Sequence, residues 1–154
     1  MEANTPKGHR ALRRGRVSAP GQIYLLTTTT AERTPVFGEF EVATAACRVL
    51  HAQAGLSGLE PLCWVLMPDH LHLLANLRQV RLSSAVGHLK ARIAHSANVQ
   101  RGTTAPLWQR GFHDHALRRD DDVLTIARYI VANPVRAGLT ESARAYPFWD
   151  AVWL

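Results

Sequence analysis

The sequence predicts an α+β fold in which an antiparallel sheet is assembled from split β-α-β units. Three observations carry that prediction: β-rich apolar runs at 23–30, 60–66 and 70–77, helical apolar stripes at 39–54 and 82–98, and the order in which they alternate. At 154 residues the chain is large enough to bury its own core as one domain without disulfides or a structural metal.

The first strand is Ile23 to Thr30, IYLLTTTT, whose β-branched and aromatic side chains suit a pleated surface. A helix follows over 39–54, because Phe40, Ala43, Cys47, Leu50 and Ala54 recur at three- and four-residue spacing before Gly55 and Gly58 end it. EPLCWVL and HLHLLANL are two strands joined by Met67-Pro68-Asp69, a link that suits a hairpin. Leu82 to Asn98 places Val86, Leu89, Ile93 and Ala97 on one helical stripe. A short strand is expected after Gly111. A last helix then runs through Ile126 and Ile130, with Asp120, Asp121 and Asp122 supplying a cap and an acidic first turn at its positive end. The order β-α-β-β-α-β-α contains the ferredoxin-like pattern, which by itself names no function.

Composition narrows the partners. The net charge is +6, and of 18 basic residues only Lys7 and Lys90 are lysine. Arginine presents a flat fork of donors that matches phosphate oxygens, so this surface is compatible with nucleic acid. High arginine and alanine usage also follows from a G+C-rich coding sequence, so charge is supporting information only. Residues 1–20 hold Lys7, His9, Arg10, Arg13, Arg14 and Arg16 among glycine and proline and are expected to be a flexible basic arm; residues 21–154 are expected to form the single domain. Two separated cysteines, Cys47 and Cys63, suggest neither a disulfide framework nor secretion, and the longest apolar stretch is broken by Pro68, Asp69 and two histidines. A soluble, cytoplasmic protein without a membrane partner is expected.

His70 and His72 flank Leu71 at the start of a strand, so both imidazoles share one face while Leu71 turns inward. Two imidazole nitrogens can hold one divalent ion and leave positions open for water or a phosphate oxygen. The same spacing also describes a plain surface pair.

Three blocks then stand in order: MPDHLHLL, LWQRGFHDHALR and RYIVANPVRAGL. Together, from about Gly15 to about Trp149, they make the chain resemble the single-tyrosine HUH transposases, and most closely the REP-associated tyrosine transposases (RAYTs). The resemblance implies a ferredoxin-like domain that nicks and joins single-stranded DNA beside imperfect hairpins, using a divalent metal, Mg²⁺ or Mn²⁺, and a tyrosine nucleophile. It implies Tyr129 as that nucleophile, with His70 and His72 as metal ligands and a 5′-phosphotyrosine intermediate.

The residues are compatible with those roles. Val123, Ile126, Ala127 and Ile130 define the apolar stripe of the last helix, whereas Tyr129 shares a different face with Asp122, Thr125 and Asn133. Asn133 lies one turn beyond Tyr129 and has two competing readings: third metal ligand, or N-cap of a new helix opened by Pro134. Asp114 and His115 are expected to form a hydrogen-bonded pair supporting the site or a DNA phosphate. The second His-x-His, His113 and His115, is set aside as a metal site, and His51, His88 and His95 receive no role. DNA contact is expected from Arg14, Arg16, Arg110, Arg118, Arg119 and Arg136. Trp108 is open to base stacking or to a place in the core, the aromatic tail Tyr146 to Trp149 with Trp153 is expected to pack back over the domain, and Gly138 to supply a helix-ending turn.

Two other functions share these features: a dimeric transposase that mobilises its own insertion sequence, and a non-catalytic protein that binds DNA hairpins. The sequence is compatible with a monomer or a homodimer.

Overall fold

A computed structural model describes residues 21–52, 58–118 and 121–153. Five antiparallel strands form one sheet in the order β4-β1-β3-β2-β5: β1 Ile23–Thr29, β2 Leu59–Met67, β3 His70–Leu77, β4 His113–Ala116 and β5 Trp149–Ala151. Helices α1 (Phe40–His51) and α2 (Leu82–Arg101) connect β1 to β2 and β3 to β4. The first four strands therefore have the ferredoxin-like arrangement, and the fold class read from the sequence holds. Helix α3 (Val123–Val131) and the single turn α4 (Asn133–Arg136) follow β4.

Strand alternation divides the sheet into two buried faces. Tyr24 and Leu26 of β1, Leu71 and Leu73 of β3, and Trp64 and Leu66 of β2 face α1 and α2 in the larger core. There they meet Val42, Ala46 and Leu50 of α1 and Val86, Leu89 and Ile93 of α2. The opposite face carries Cys63, Val65, Met67 and Leu74, covered by Ala127 and Ile130 of α3 and flanked by Trp149. Burying an aliphatic side chain of this size contributes about 1.5–3 kcal/mol, so each helix is held by its apolar stripe rather than by propensity alone.

Several local expectations are realised. Asp122 caps α3, its Oδ1 accepting from the N–H groups of Leu124 at 3.0 Å and Thr125 at 3.2 Å. Gly138 adopts φ 72°, the left-handed conformation that ends a helix with least strain in glycine. Trp108 takes the core alternative: its ring lies against Phe37, centroids 5.5 Å apart, and its Nε1 donates to the Lys90 carbonyl at 3.0 Å. The aromatic tail folds back as expected, Phe148 against Phe40 and Tyr146, although Trp153 stays 45% exposed.

Strand β5 is the element the sequence reading missed. Only three residues long and containing Asp150, it has no periodicity to detect, and it exists because Cys63, Trp64 and Val65 of β2 offer it an edge. The basic arm of residues 1–20, with Arg14 and Arg16, lies outside the described residues, as does Arg119. Among the described residues no helix is long and apolar enough to cross a membrane.

Candidate metal and nucleophile site

The histidine pair sits where β2 turns into β3. Pro68 and Asp69 make the two-residue link, and β3 begins at His70, opposite Met67 of β2 and Thr29 of β1. In the next pair along, His72 lies between Thr27 of β1 and Val65 of β2. Because directly opposed residues share a face, both imidazoles project on the α3 side of the sheet, beside Val65 and Met67. Their rings are 4.7 Å apart between centroids and nearly perpendicular, at 80°.

Each ring is held by its Nδ1. His70 Nδ1 donates to Asp69 Oδ1 at 2.7 Å, and His72 Nδ1 pairs with the Thr27 hydroxyl at 2.9 Å. Partners on Nδ1 fix ring orientation and tautomer, and a proton held there leaves the Nε2 lone pair for a metal. Burial, then the neighbouring His70 and then Arg136 push the His72 pKa down to about 4, so this imidazole is neutral and able to donate at neutral pH. Burial raises the Asp69 pKa, but hydrogen bonds from His70 and Arg33 outweigh it and hold the carboxyl below its usual range.

A second layer fixes Asp69. Arg33 Nε donates to its Oδ2 at 3.1 Å, while the Thr30 N–H and hydroxyl both reach its backbone carbonyl, at 2.9 and 3.1 Å. This clamp runs through a strained turn, since Glu32 and Arg33 have φ of 55° and 53°, a region that non-glycine residues enter at a cost. Asp69, Thr27 and Arg33 had no functional reading in the sequence. Asp69 was visible as the neighbour of His70, whereas Thr27 becomes a partner only through the β1–β3 register.

Tyr129 stands on α3, which packs Ala127 and Ile130 onto the sheet face that carries the histidines. The tyrosine is 63% exposed, as its place off the apolar stripe predicts. The Arg136 guanidinium carbon lies 3.7 Å from its ring centroid, and Nη2 of Arg136 donates to the Tyr129 carbonyl at 2.8 Å. Arg136 also helps keep His72 neutral, so its charge acts on both the tyrosine and the histidine pair.

Asn133 is not the N-cap that one reading made it. Ala132 occupies that position, and the Asn133 side chain turns back so that Nδ2 donates to the Ile130 carbonyl at 3.1 Å. The amide nitrogen is thereby engaged and Oδ1 is the atom it can offer a cation. Among the described residues no cluster of three or more His, Cys, Asp or Glu is built to hold a metal, so the histidine pair needs an amide, water or phosphate oxygen to complete a coordination shell.

The expected pairing of Asp114 with His115 is replaced by strand alternation. Asp114, opposite Leu26, is buried toward α1 and α2, whereas His115, opposite Leu25, is exposed on the other face. Arg110 and Arg118 are both exposed but stand at opposite ends of the sheet. Arg110 follows Gln109, whose N–H donates to the Thr29 carbonyl beside His70; Arg118 follows Leu117, which is bonded to Ile23 at the far end.

Comparison with known proteins gives consistent results. Residues 19–133 match the family described as "Transposase IS200 like". Two curated relatives carrying the REP-associated tyrosine transposase name are similar. One, from Haemophilus influenzae, is 30% identical over 94 residues, covering 54% of this chain and 53% of the relative. The other, from Escherichia coli K12, is 29% identical over 87 residues, covering 55% and 50%. The chain thus spans about half the length of the curated relatives it matches. Among solved structures, a REP-associated tyrosine transposase bound to a REP hairpin superposes with a TM-score of 0.66 over 87% of this chain and 79% of that one, at 23% identity, a likeness of fold.

Proposed function

Because the chain belongs to the IS200-like transposase family, we propose that it is a metal-dependent endonuclease and strand transferase for single-stranded DNA at hairpin sequences. The observation that carries this reading is the histidine pair: two half-buried imidazoles on one sheet face, each fixed through Nδ1, on the same side of the sheet as the exposed tyrosine of α3. A similar protein bound to a REP hairpin supports hairpin DNA as the substrate class.

In this reading His70 and His72 hold Mg²⁺ or Mn²⁺ through Nε2, with Asn133 Oδ1 as the third protein donor. Held there, such an ion would supply Lewis-acid polarisation of the scissile phosphate and stabilisation of its developing charge. The donor set fits, since neutral imidazoles and an amide oxygen leave positions open for phosphate and water. Tyr129 Oη attacks phosphorus, the bond to the 3′ oxygen breaks, the phenolic proton is lost and the departing 3′ oxygen takes one up. The products are a 5′-phosphotyrosine on the protein and a free 3′-hydroxyl. The covalent link conserves the phosphodiester bond energy, so attack by a 3′-hydroxyl reverses the step and joins strands. Arg110 and Arg118 contribute phosphate contacts, joined by Arg14, Arg16 and Arg119.

The test is incubation of the protein with a labelled hairpin oligonucleotide flanked by single strands, with Mg²⁺ or Mn²⁺, followed by denaturing electrophoresis. A covalent adduct that disappears in Tyr129→Phe supports the proposal. Hairpin binding without any adduct from the wild-type protein would favour the non-catalytic binder instead.

A further inference from the structure

We propose that Arg136 is a positioning residue for Tyr129 rather than one of the arginines that grip DNA, an inference that rests on Tyr129 being the nucleophile. Its guanidinium makes two contacts with one residue, stacking over the ring at 3.7 Å and donating from Nη2 to the same residue's carbonyl at 2.8 Å. The planar fork of arginine can stack and hydrogen-bond at once, which the compact ammonium of lysine cannot do.

The backbone around it is built for this reach. Helix α3 stops at Val131, α4 opens with Asn133 and the buried Pro134, and the Arg136 N–H bonds to the Ala132 carbonyl at 3.0 Å. The chain therefore turns a corner that returns residue 136 to residue 129. Asn133 ties into the same corner through its bond to Ile130. An exposed tyrosine on a helix surface otherwise samples several χ1 rotamers, and in-line attack on phosphorus tolerates few of them. Stacking on one face of the ring restricts that freedom while leaving the hydroxyl at the far end of the ring from the backbone contact.

Three measurements on the full chain test the assignment. The protein has three tyrosines, Tyr24, Tyr129 and Tyr146, so ring ¹³C-labelled protein gives a small set of NMR signals, with the Tyr129 signal assigned from Tyr129→Phe. In Arg136→Ala and Arg136→Lys the Tyr129 ring signal moves while those of Tyr24 and Tyr146 stay in place. Under single-turnover conditions at saturating hairpin, Arg136→Ala slows adduct formation about tenfold or more. Arg136→Lys does not restore the rate, and hairpin affinity and its salt dependence remain those of the wild type. An unmoved Tyr129 signal overturns the clamp. So does full rescue by lysine, or a variant whose saturated rate is normal while affinity falls and the salt slope drops by about one, the mark of a phosphate contact. Absence of an adduct from the wild-type protein would defeat the nuclease reading, and the NMR signal would still decide whether the clamp exists.

Discussion

His70 and His72 lie on the central strand β3, and His113 and His115 lie on the edge strand β4, all four on the same face of the sheet. The register joins them directly: His113 is opposite Thr27, and Thr27 is opposite His72. The two pairs have identical spacing, yet the sheet treats them differently. The central pair is flanked on both sides, so β1 supplies Thr27 and the β2–β3 turn supplies Asp69 to hold the rings. The edge pair is exposed to solvent. The two pairs therefore differ in their place in the sheet, one on a central strand and one on an edge strand.

Removing one pair at a time separates their roles. His70→Ala or His72→Ala is expected to weaken Mn²⁺ binding by about 100-fold or more, beyond the usual cost of losing an outer partner, and to eliminate the DNA adduct. Titration of Mn²⁺ by paramagnetic resonance, together with the denaturing gel, checks both. The outer partners come next: Asp69→Asn and Thr27→Val are expected to cost about 10- to 100-fold in metal affinity with the fold retained. Arg33→Ala, which removes an ion pair with one largely exposed partner, is expected to lower affinity by less than Asp69→Asn and to change stability by under about 1 kcal/mol in denaturant unfolding. His113→Ala and His115→Ala should leave metal affinity within about twofold of the wild type, since the proposed donors are His70, His72 and Asn133.

The smallest expected effect separates the covered half of this face from the open half. Cys63 lies in the next same-face row, His115-Leu25-Leu74-Cys63, beneath α3. Burial, with a smaller contribution from Asp150, pushes its thiol up to about 12, and burial alone does the same for Cys47. Both thiols should resist alkylation in the native protein at pH 8 and react on unfolding. Rapid native labelling of Cys63 would show that α3 does not seal that half of the sheet.

Sequence patterning carried most of the architecture because the apolar stripes do most of the holding. The stripe residues of the second helix, Val86, Leu89, Ile93 and Ala97, are all buried, and Ala127 and Ile130 anchor the last helix as their spacing predicts. The hairpin and the inward turn of Leu71 were legible for the same reason. Elements that depend on pairing were not. β5 is created by the free edge of β2, and Thr27 meets His72 only after two strands 45 positions apart come into register. Asp114 and His115, adjacent in sequence, stand on opposite faces of β4, a separation that only strand alternation makes visible. Of the two readings of Asn133, the cap suits Asn-Pro locally, but the return of the chain after α3 puts Ala132 at the cap and gives the Asn133 amide nitrogen to Ile130.

In the proposed function the β3 pair and Tyr129 form one reaction centre that does without the β4 pair. Peptide mapping of the covalent protein–hairpin adduct by mass spectrometry tests this most directly, applied to the wild type, His70→Ala and His113→Ala. Nucleotide attached to Tyr129 in the wild type and in His113→Ala, with no adduct in His70→Ala, is the expected result. Nucleotide on Tyr24 or Tyr146, an adduct that survives loss of His70, or one that disappears with His113 would contradict it.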